Sequence, residues 1–427
     1  MRPSRRGLLL GAGTAGLAPF ATAGEVLLDD AWHQTILDRY AAFGDKSTGG
    51  PGDMATGAWL EDELTRLGFH CHRHAFVSPF FDADQATLTI EGHTASVIPQ
   101  APVTPTDSEG VSAPLALSWG SGRLDGRIVL IVLPSRRWSS ALDGLIQTRL
   151  NDVWARGAIG AVLITTGPTG DALALNAPAR LPPGAGPIAV LAPNESEPFL
   201  NAAAEGRTGR LVLSGTAGQR PAFNLTARLA RGADRAVVLS TPRSGWFTCA
   251  AERGSGIAVW LAAAHWLARR QDPFDVELVA ISGHEYENLG GEHYLEALAP
   301  KPERTRLWVH VGANLAARDW HTYGRELRPL PGPDAQRYLL ASPDVADSFA
   351  RAYAGQPGLE AVYPATVENS AGELTNILRA GYTSAAGFFG NHKFHHSRND
   401  DLRCVTGALV RPASEALRRA LAEILAS

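Results

Sequence analysis

The sequence predicts an α/β protein: a mixed sheet sandwiched by helices, interrupted by a smaller inserted α/β domain. Three observations predict it. Short apolar runs such as Val276–Ile281 and Leu307–Val311 alternate with amphipathic segments such as Trp32–Phe43, the pattern of a sheet covered on both faces. A second alternation of the same kind fills residues 99 to 217. Finally, the run Val276–Ile281 ends in Ser282-Gly283 and is followed at once by His284, Glu285 and Glu287. Charged groups are thus delivered at the carboxyl end of a buried strand, where open α/β sheets place their sites.

Composition bounds the function. The chain has 427 residues, of which 45% are hydrophobic, enough for a large core and two or three domains. Its 43 acidic and 39 basic residues give a net charge of −4, which argues against a nucleic-acid binder. Cys71, Cys249 and Cys404 are far apart and odd in number, so they read as buried small side chains, not as a disulfide framework.

The first residues form an export pattern. Arg5-Arg6 precedes a modest apolar run to Phe20, closed by Ala21-Thr22-Ala23, which reads as a twin-arginine signal over residues 1 to 23. The run is too short and too glycine-rich to span a bilayer. Its removal deletes Arg2, Arg5 and Arg6 and takes the net charge to −7. The expected location is periplasmic or secreted, with no membrane span in the mature chain.

The elements follow in order. Residues 31 to 43 place Trp32, Ile36, Leu37, Tyr40 and Phe43 on one helical face. After the loop Gly49-Gly50-Pro51-Gly52, Thr56–Leu67 repeats the pattern, with Gly68 just beyond its end. Strands are expected at Cys71–Val77 and Ala86–Glu91. In the inserted segment, Ile128–Leu133, Ala161–Ile164 and Pro187–Leu191 are apolar runs, and a helix begins near Asn194. Asn224–Leu229 and Ala236–Leu239 return to the main sheet. Ser255–Ala268 is a strongly apolar helix. The landmark strand, a helix at Gly291–Leu298 and the strand Leu307–Val311 come next. Glu373–Ala380 (helix), Thr383–Phe389 (strand) and Ala408–Leu425 (helix) close the chain.

The landmark Gly283-His284-Glu285 through Leu289-Gly290-Gly291 resembles the Gly-Glu-Glu-x-Gly-Leu-x-Gly-Ser segment of the co-catalytic zinc aminopeptidases, the group of aminopeptidase Y, aminopeptidase S and glutamate carboxypeptidase. Leu124–Leu133, Ala155–Ile164 and Pro187–Leu191 resemble the successive motifs of the protease-associated domain, which many members of that group carry as an insert. The resemblance implies a peptidase-like domain over residues 24–98 and 218–427, and an insert over 99–217 that shapes access to the cleft.

The same resemblance implies a site. The group holds two zinc ions with a His and an Asp from H-x-D, a bridging Asp, the second Glu of Glu-Glu, a further Asp and a late His; the first Glu is the general base. The equivalent positions here are Thr241 and Arg243, Glu252, Glu285, Gly312 or Asn314, and His396, with His284 at the base position. Glu252, Glu285 and His396 keep ligand chemistry. Arg243, and Arg253 beside Glu252, are permanent cations. One unit charge facing another at 4 Å is worth about 4 kcal/mol at an effective dielectric of 20, and a dication about doubles it. The ordinary two-zinc site is therefore not expected. Thr241, Arg243, Arg253, His310, Glu373 and His395 are expected to line the cleft, and His265 to pack on its helix.

Two readings of the site follow. In one, Glu252, Glu285 and His396 hold at most one zinc ion, with His284 as the acid–base group. In the other, Arg243 and Arg253 pair with Glu252 and Glu285, guanidinium replaces metal, and no cofactor is bound. The first implies a rewired peptide or amide hydrolase. The second implies a non-catalytic protein that binds a peptide or small molecule in the former active-site cleft, a route other relatives of the group have taken. A metal-free serine hydrolase using Ser244 or Ser255 finds no Gly-x-Ser-x-Gly pattern to support it.

Overall fold

The computed structural model describes residues 28–180, 186–324 and 326–426. The twin-arginine segment lies outside them. No helix among the described residues is long and apolar enough to cross a membrane.

Helix α1 (Asp30–Ala42) starts where Asp29 accepts the Trp32 N–H at 2.8 Å. Helix α2 (Pro51–Arg66) starts with proline at its first turn and is followed by Gly68 in the left-handed region, at φ 90°. It therefore begins inside the glycine-rich loop, five residues earlier than the periodicity suggests. Then come β1 (His70–Ile90), β2 (His93–Pro99), β3 (Val111–Leu117), β4 (Ile128–Val132), α3 (Gly144–Ala155), β5 (Gly160–Ile164), β6 (Ile188–Leu191), α4 (Glu197–Ala204) and β7 (Thr208–Leu229). The remainder is β8 (Ala236–Pro242), α5 (Gly254–Leu267), β9 (Asp275–Ile281), α6 (Leu289–Ala297), β10 (Thr305–Val311), the hairpin β11 (Arg318–Tyr323) and β12 (Glu326–Pro333), β13 (Arg337–Ala341), α7 (Ala346–Tyr353), β14 (Val362–Pro364), α8 (Gly372–Arg379), β15 (Ala385–Gly390) and α9 (Gly407–Ala426).

The strand order is β1-β2-β6-β5-β4-β3-β7-β9-β8-β10-β15-β13-β14. Strands β1 and β7 also pair with each other, antiparallel, from His70 opposite Arg228 to Thr89 opposite Arg210. This long ribbon joins two sheets. Near one end β7 pairs with β9 of the main sheet; near the other it pairs with β3, and β1 with β2. The sequence suggests two short strands where β1 is continuous. Its middle, Ser78–Gln85, lacks an apolar run but is held by pairing to β7. The register shifts between Ala83 and Gln85 beside Gly215, where a Cβ would come within 2.2 Å of Asp82 O, so the bulge requires glycine.

Alternation builds the core. Val237 and Leu239 face a cluster formed with α1, α5 and α9, whereas Val238 faces the opposite layer with Tyr294 of α6 and Leu374 and Ile377 of α8. The smaller sheet repeats the plan. Leu130 and Val162 pack with Phe199 of α4, while Val129 and Ile131 pack with Ile146, Leu150 and Val153 of α3. Strands β9, β8, β10 and β15 are mutually parallel, so their carboxyl ends open together on one edge of the main sheet.

Candidate functional site

That edge carries nearly all of the sequence-predicted residues, and it sorts them into two groups. The first forms a sealed wall. Arg243, just after β8, is fully buried, lies over the Phe223 ring at 4.4 Å and donates Nη1 to Ala280 O at 3.0 Å. Its ion-pair partner is Asp53 of α2, at 2.9 Å from Nε, not Glu252 or Glu285 as expected. Asp53 also accepts from Gly49 N and from the Ser282 hydroxyl. Burial pulls the Arg243 guanidinium below its usual range, and Asp53 opposes that pull. Asp53 lies in the first turn of α2, just past the glycines read from the sequence as a loop, and nothing in the sequence marked it as the partner of Arg243.

Glu285 belongs to the same wall. One oxygen accepts Thr48 N at 2.5 Å and the other accepts Ser244 Oγ at 2.8 Å. Burial pushes its carboxyl up, and these two donors oppose that. The structure thus places Glu285 apart from Glu252 and His396. The turn after β9 explains this: Gly283, Glu287 and Asn288 are all left-handed, at φ 88°, 49° and 68°, and the chain re-aims its side chains between them. Thr241 also faces inward, donating to Val311 O at 2.8 Å.

The second group is the cleft floor. Glu252 and Arg253 lead into α5, where Asp400 accepts Ala251 N at 2.8 Å and Glu252 N at 3.0 Å. Both side chains are buried, and Arg253 Nη2 lies 2.7 Å from Glu252 Oε1. The late histidines arrive from the loop after β15, their rings stacked at 3.8 Å. His396 Nε2 is 3.3 Å and His395 Nδ1 3.7 Å from the Glu252 carboxylate. Burial alone would raise Glu252, but Arg253 and the two histidines hold it well below the carboxylate range. Burial, with His396 beside it, pushes His395 well below the usual histidine value.

Glu373, at the first turn of α8, faces the same cleft. It accepts from His284 Nδ1 at 2.9 Å and lies 3.4 Å from His310 Nε2. His310 Nδ1 is 3.0 Å from Ser240 Oγ, which takes the Trp308 indole N–H. Burial works against the Glu373 charge, yet His284 and His310 hold it well below the usual range. For Arg253 burial works against the charge too, and Glu252 and Glu373 more than offset it. Arg253, His284, His310, Glu373 and His395 together line a cleft of about 320 Å³.

The strand carrying His310 settles its register. His310 and Gly312 both face the cleft, and a Cβ on Gly312 would come within 2.2 Å of Phe388 O. No side chain fits at Gly312 without moving β15. Asn314 is buried and turned to Gly390 O. Cys249 does not line the cleft; its sulfur lies 3.2 Å from Tyr40 Oη, and burial pushes the thiol well up. His265 packs edge-on against Trp32 at 5.3 Å.

Loops that follow β4 and β5 of the smaller sheet reach the floor. His396 Nδ1 donates to Ala174 O at 2.8 Å, Ser139 Oγ is 3.2 Å from His395 Nε2, and Ser140 bonds Glu287. Nothing in the local sequence around Ser139 or Ala174 marks them for such a role. Their importance arises only from long-range packing.

The donors present do not fit a pair of zinc ions. They do group Glu252, His395 and His396, whose ligand atoms lie within 4.8 Å of one another. His396 Nε2 and both Glu252 oxygens have no hydrogen-bond partner. One carboxylate and two imidazoles are a donor set that suits a single zinc ion.

No protein-family profile and no curated protein matches the sequence. Solved structures do match in fold. A zinc aminopeptidase from Bacillus subtilis aligns with a TM-score of 0.71 at 15% identity, over 93% of this chain and 96% of that one. A peptidase M28 precursor from Shewanella amazonensis gives 0.68 at 16%, over 93% and 97%. An aminopeptidase from Aneurinibacillus sp. strain AM-1 gives 0.65 at 14%, over 93% and 94%.

Proposed function

We propose that this chain is a divergent, exported relative of the zinc aminopeptidases whose two-ion centre has given way to a guanidinium-balanced pocket. Peptide or amide hydrolysis is the ancestral reaction. The pocket now binds a peptide or small molecule without cleaving it. One observation carries this reading: Arg253, buried at the cleft floor, stands 2.7 Å from Glu252 and draws on Glu373. A dication brought to within 4 Å of that guanidinium meets a repulsion of about 8 kcal/mol at an effective dielectric of 20. His284 stands at the position of the general base, but its Nδ1 is committed to Glu373.

Residues 99–217 act in this reading as a protease-associated-like insert that shapes access. The contacts of Ser139, Ser140 and Ala174 with His395, Glu287 and His396 support that role. The Arg5-Arg6 pattern and the small-residue site ending at Ala23 support export.

Hydrolysis of aminoacyl and amino-blocked peptide amides, followed with and without added zinc, tests the proposal. No turnover above the buffer rate is expected. Chelator-sensitive turnover that rises with zinc overturns it.

A second reading has its own observation. His396 gives its Nδ1 proton to Ala174 O, which leaves Nε2 unpartnered and directed at Glu252. Glu252, His395 and His396 would hold one zinc ion, which supplies Lewis acidity and acidifies a bound water. Retention of zinc that depends on Glu252 and His396, shown by Glu252→Gln and His396→Ala, would favour this alternative.

A further inference from the structure

Behind the cleft floor lies a second cluster that the function above does not use. His392, Asp400 and Cys404 sit in the loop and short 3-10 turn between β15 and α9. All three are buried, His392 and Asp400 at 1% exposure and Cys404 at 0%. Their ligand atoms lie within 4.8 Å of one another.

His392 is the decisive member. Neither of its ring nitrogens has a hydrogen-bond partner. Asp400 Oδ2 is 3.4 Å from Nε2, too long for a good bond. A buried imidazole left without partners is costly. Asp400, in contrast, is firmly placed by the Ala251 and Glu252 N–H groups, which fix its orientation as outer partners fix a metal ligand. Cys404 brings the sulfur, held 3.4 Å from Asn399 O.

We propose that His392, Asp400 and Cys404 form a structural site for a borderline-soft dication of the zinc type. Imidazole, carboxylate and thiolate are the three donor types such an ion prefers. The ion displaces the thiol proton, uses the unpartnered imidazole and offsets the Asp400 charge. Because Asp400 anchors the start of α5, the ion would brace the turn that presents Glu252 and Arg253 to the cleft. The site is independent of whether the cleft hydrolyses anything.

Sulfur separates this site from the Glu252–His395–His396 group, which has none. The full chain is produced in cobalt-supplemented medium and its absorption recorded in the near ultraviolet, where a thiolate bound to cobalt gives a charge-transfer band. The band is expected in the unaltered protein, in Glu252→Gln and in Cys71→Ser, and is expected to vanish in Cys404→Ser and His392→Ala. Cobalt-loaded protein without the band overturns the proposal, as does a band that survives Cys404→Ser or disappears in Cys71→Ser. If Cys404→Ser fails to fold, His392→Ala decides it: loss of the band supports the site and its survival overturns it.

Discussion

The two arginines that enter this site have opposite surroundings. Arg243 meets a carboxylate, a carbonyl and an aromatic face, and lies in a wall where both Glu285 oxygens and Asp53 Oδ2 accept hydrogen bonds. Arg253 leaves Nε, Nη1 and Nη2 without in-line acceptors, and both Glu252 oxygens share that condition. The protein itself supplies most of the wall's partners, although Asp53 Oδ1, 2.9 Å from Arg243 Nε, and Arg243 Nη2 have no hydrogen bond. At the floor the Glu252–Arg253 pair is charge-balanced but not hydrogen-bonded, and Arg253 lines the cleft. A buried polar group that the fold leaves unsatisfied points to water or a ligand. The difference therefore separates scaffold from function within a single constellation of charged residues.

The comparison breaks most sharply at the wall. Asp53→Ala leaves the Arg243 guanidinium buried without its partner, and such a change destabilises by about 3–5 kcal/mol. Replacing both members, Asp53→Leu with Arg243→Met, removes the stranded charge. The double variant should recover much of that loss in urea unfolding. If Asp53→Ala is as stable as the unaltered chain, the wall is not held as described.

At the floor the effect is smaller and depends on acid. Glu373 has a folded value well below its unfolded one of about 4.3, so it contributes stability above that unfolded value. The contribution fades as pH falls through the folded value. Glu373→Gln should therefore lower neutral stability by about 1.5–3 kcal/mol, the range for hydrogen bonds to a charged group, and flatten the acid limb. Thermal melts from neutral to acid pH would show it. An unchanged acid limb would mean that His284 and His310 do not hold this carboxylate.

How much of this was legible follows the same division. The buried strands and their flanking helices were readable, because apolar period reports which faces are buried, and the nearness of His396 to Glu252 was legible only through motif order. The hairpin β11–β12 was not legible, and only its own pairing makes it strand. Asp53 as the partner of Arg243 was not legible either, since 190 residues separate them. Glu285 was misplaced for a local reason. A sequence motif fixes the order of side chains, but the left-handed backbone at Glu287 and Asn288 fixes where they point.

Glu285 also gives the smallest prediction and the one with reversed sign. Burial raises its folded value above the unfolded one near 4.3, so its ionisation works against the folded state. The penalty is absent below the unfolded value and grows as pH rises from there through the folded value, then levels off. Glu285→Gln removes that charge while its carbonyl can still accept Thr48 N and its amide can donate to Ser244 Oγ. The variant should match the unaltered protein in acid and gain up to about 1 kcal/mol at neutral pH. Stability profiles that diverge the other way, with Glu285→Gln weaker only at neutral pH, would show that the charged form is what the wall requires. Glu285 would then belong with the floor, and its negative charge would be available to a ligand or an ion.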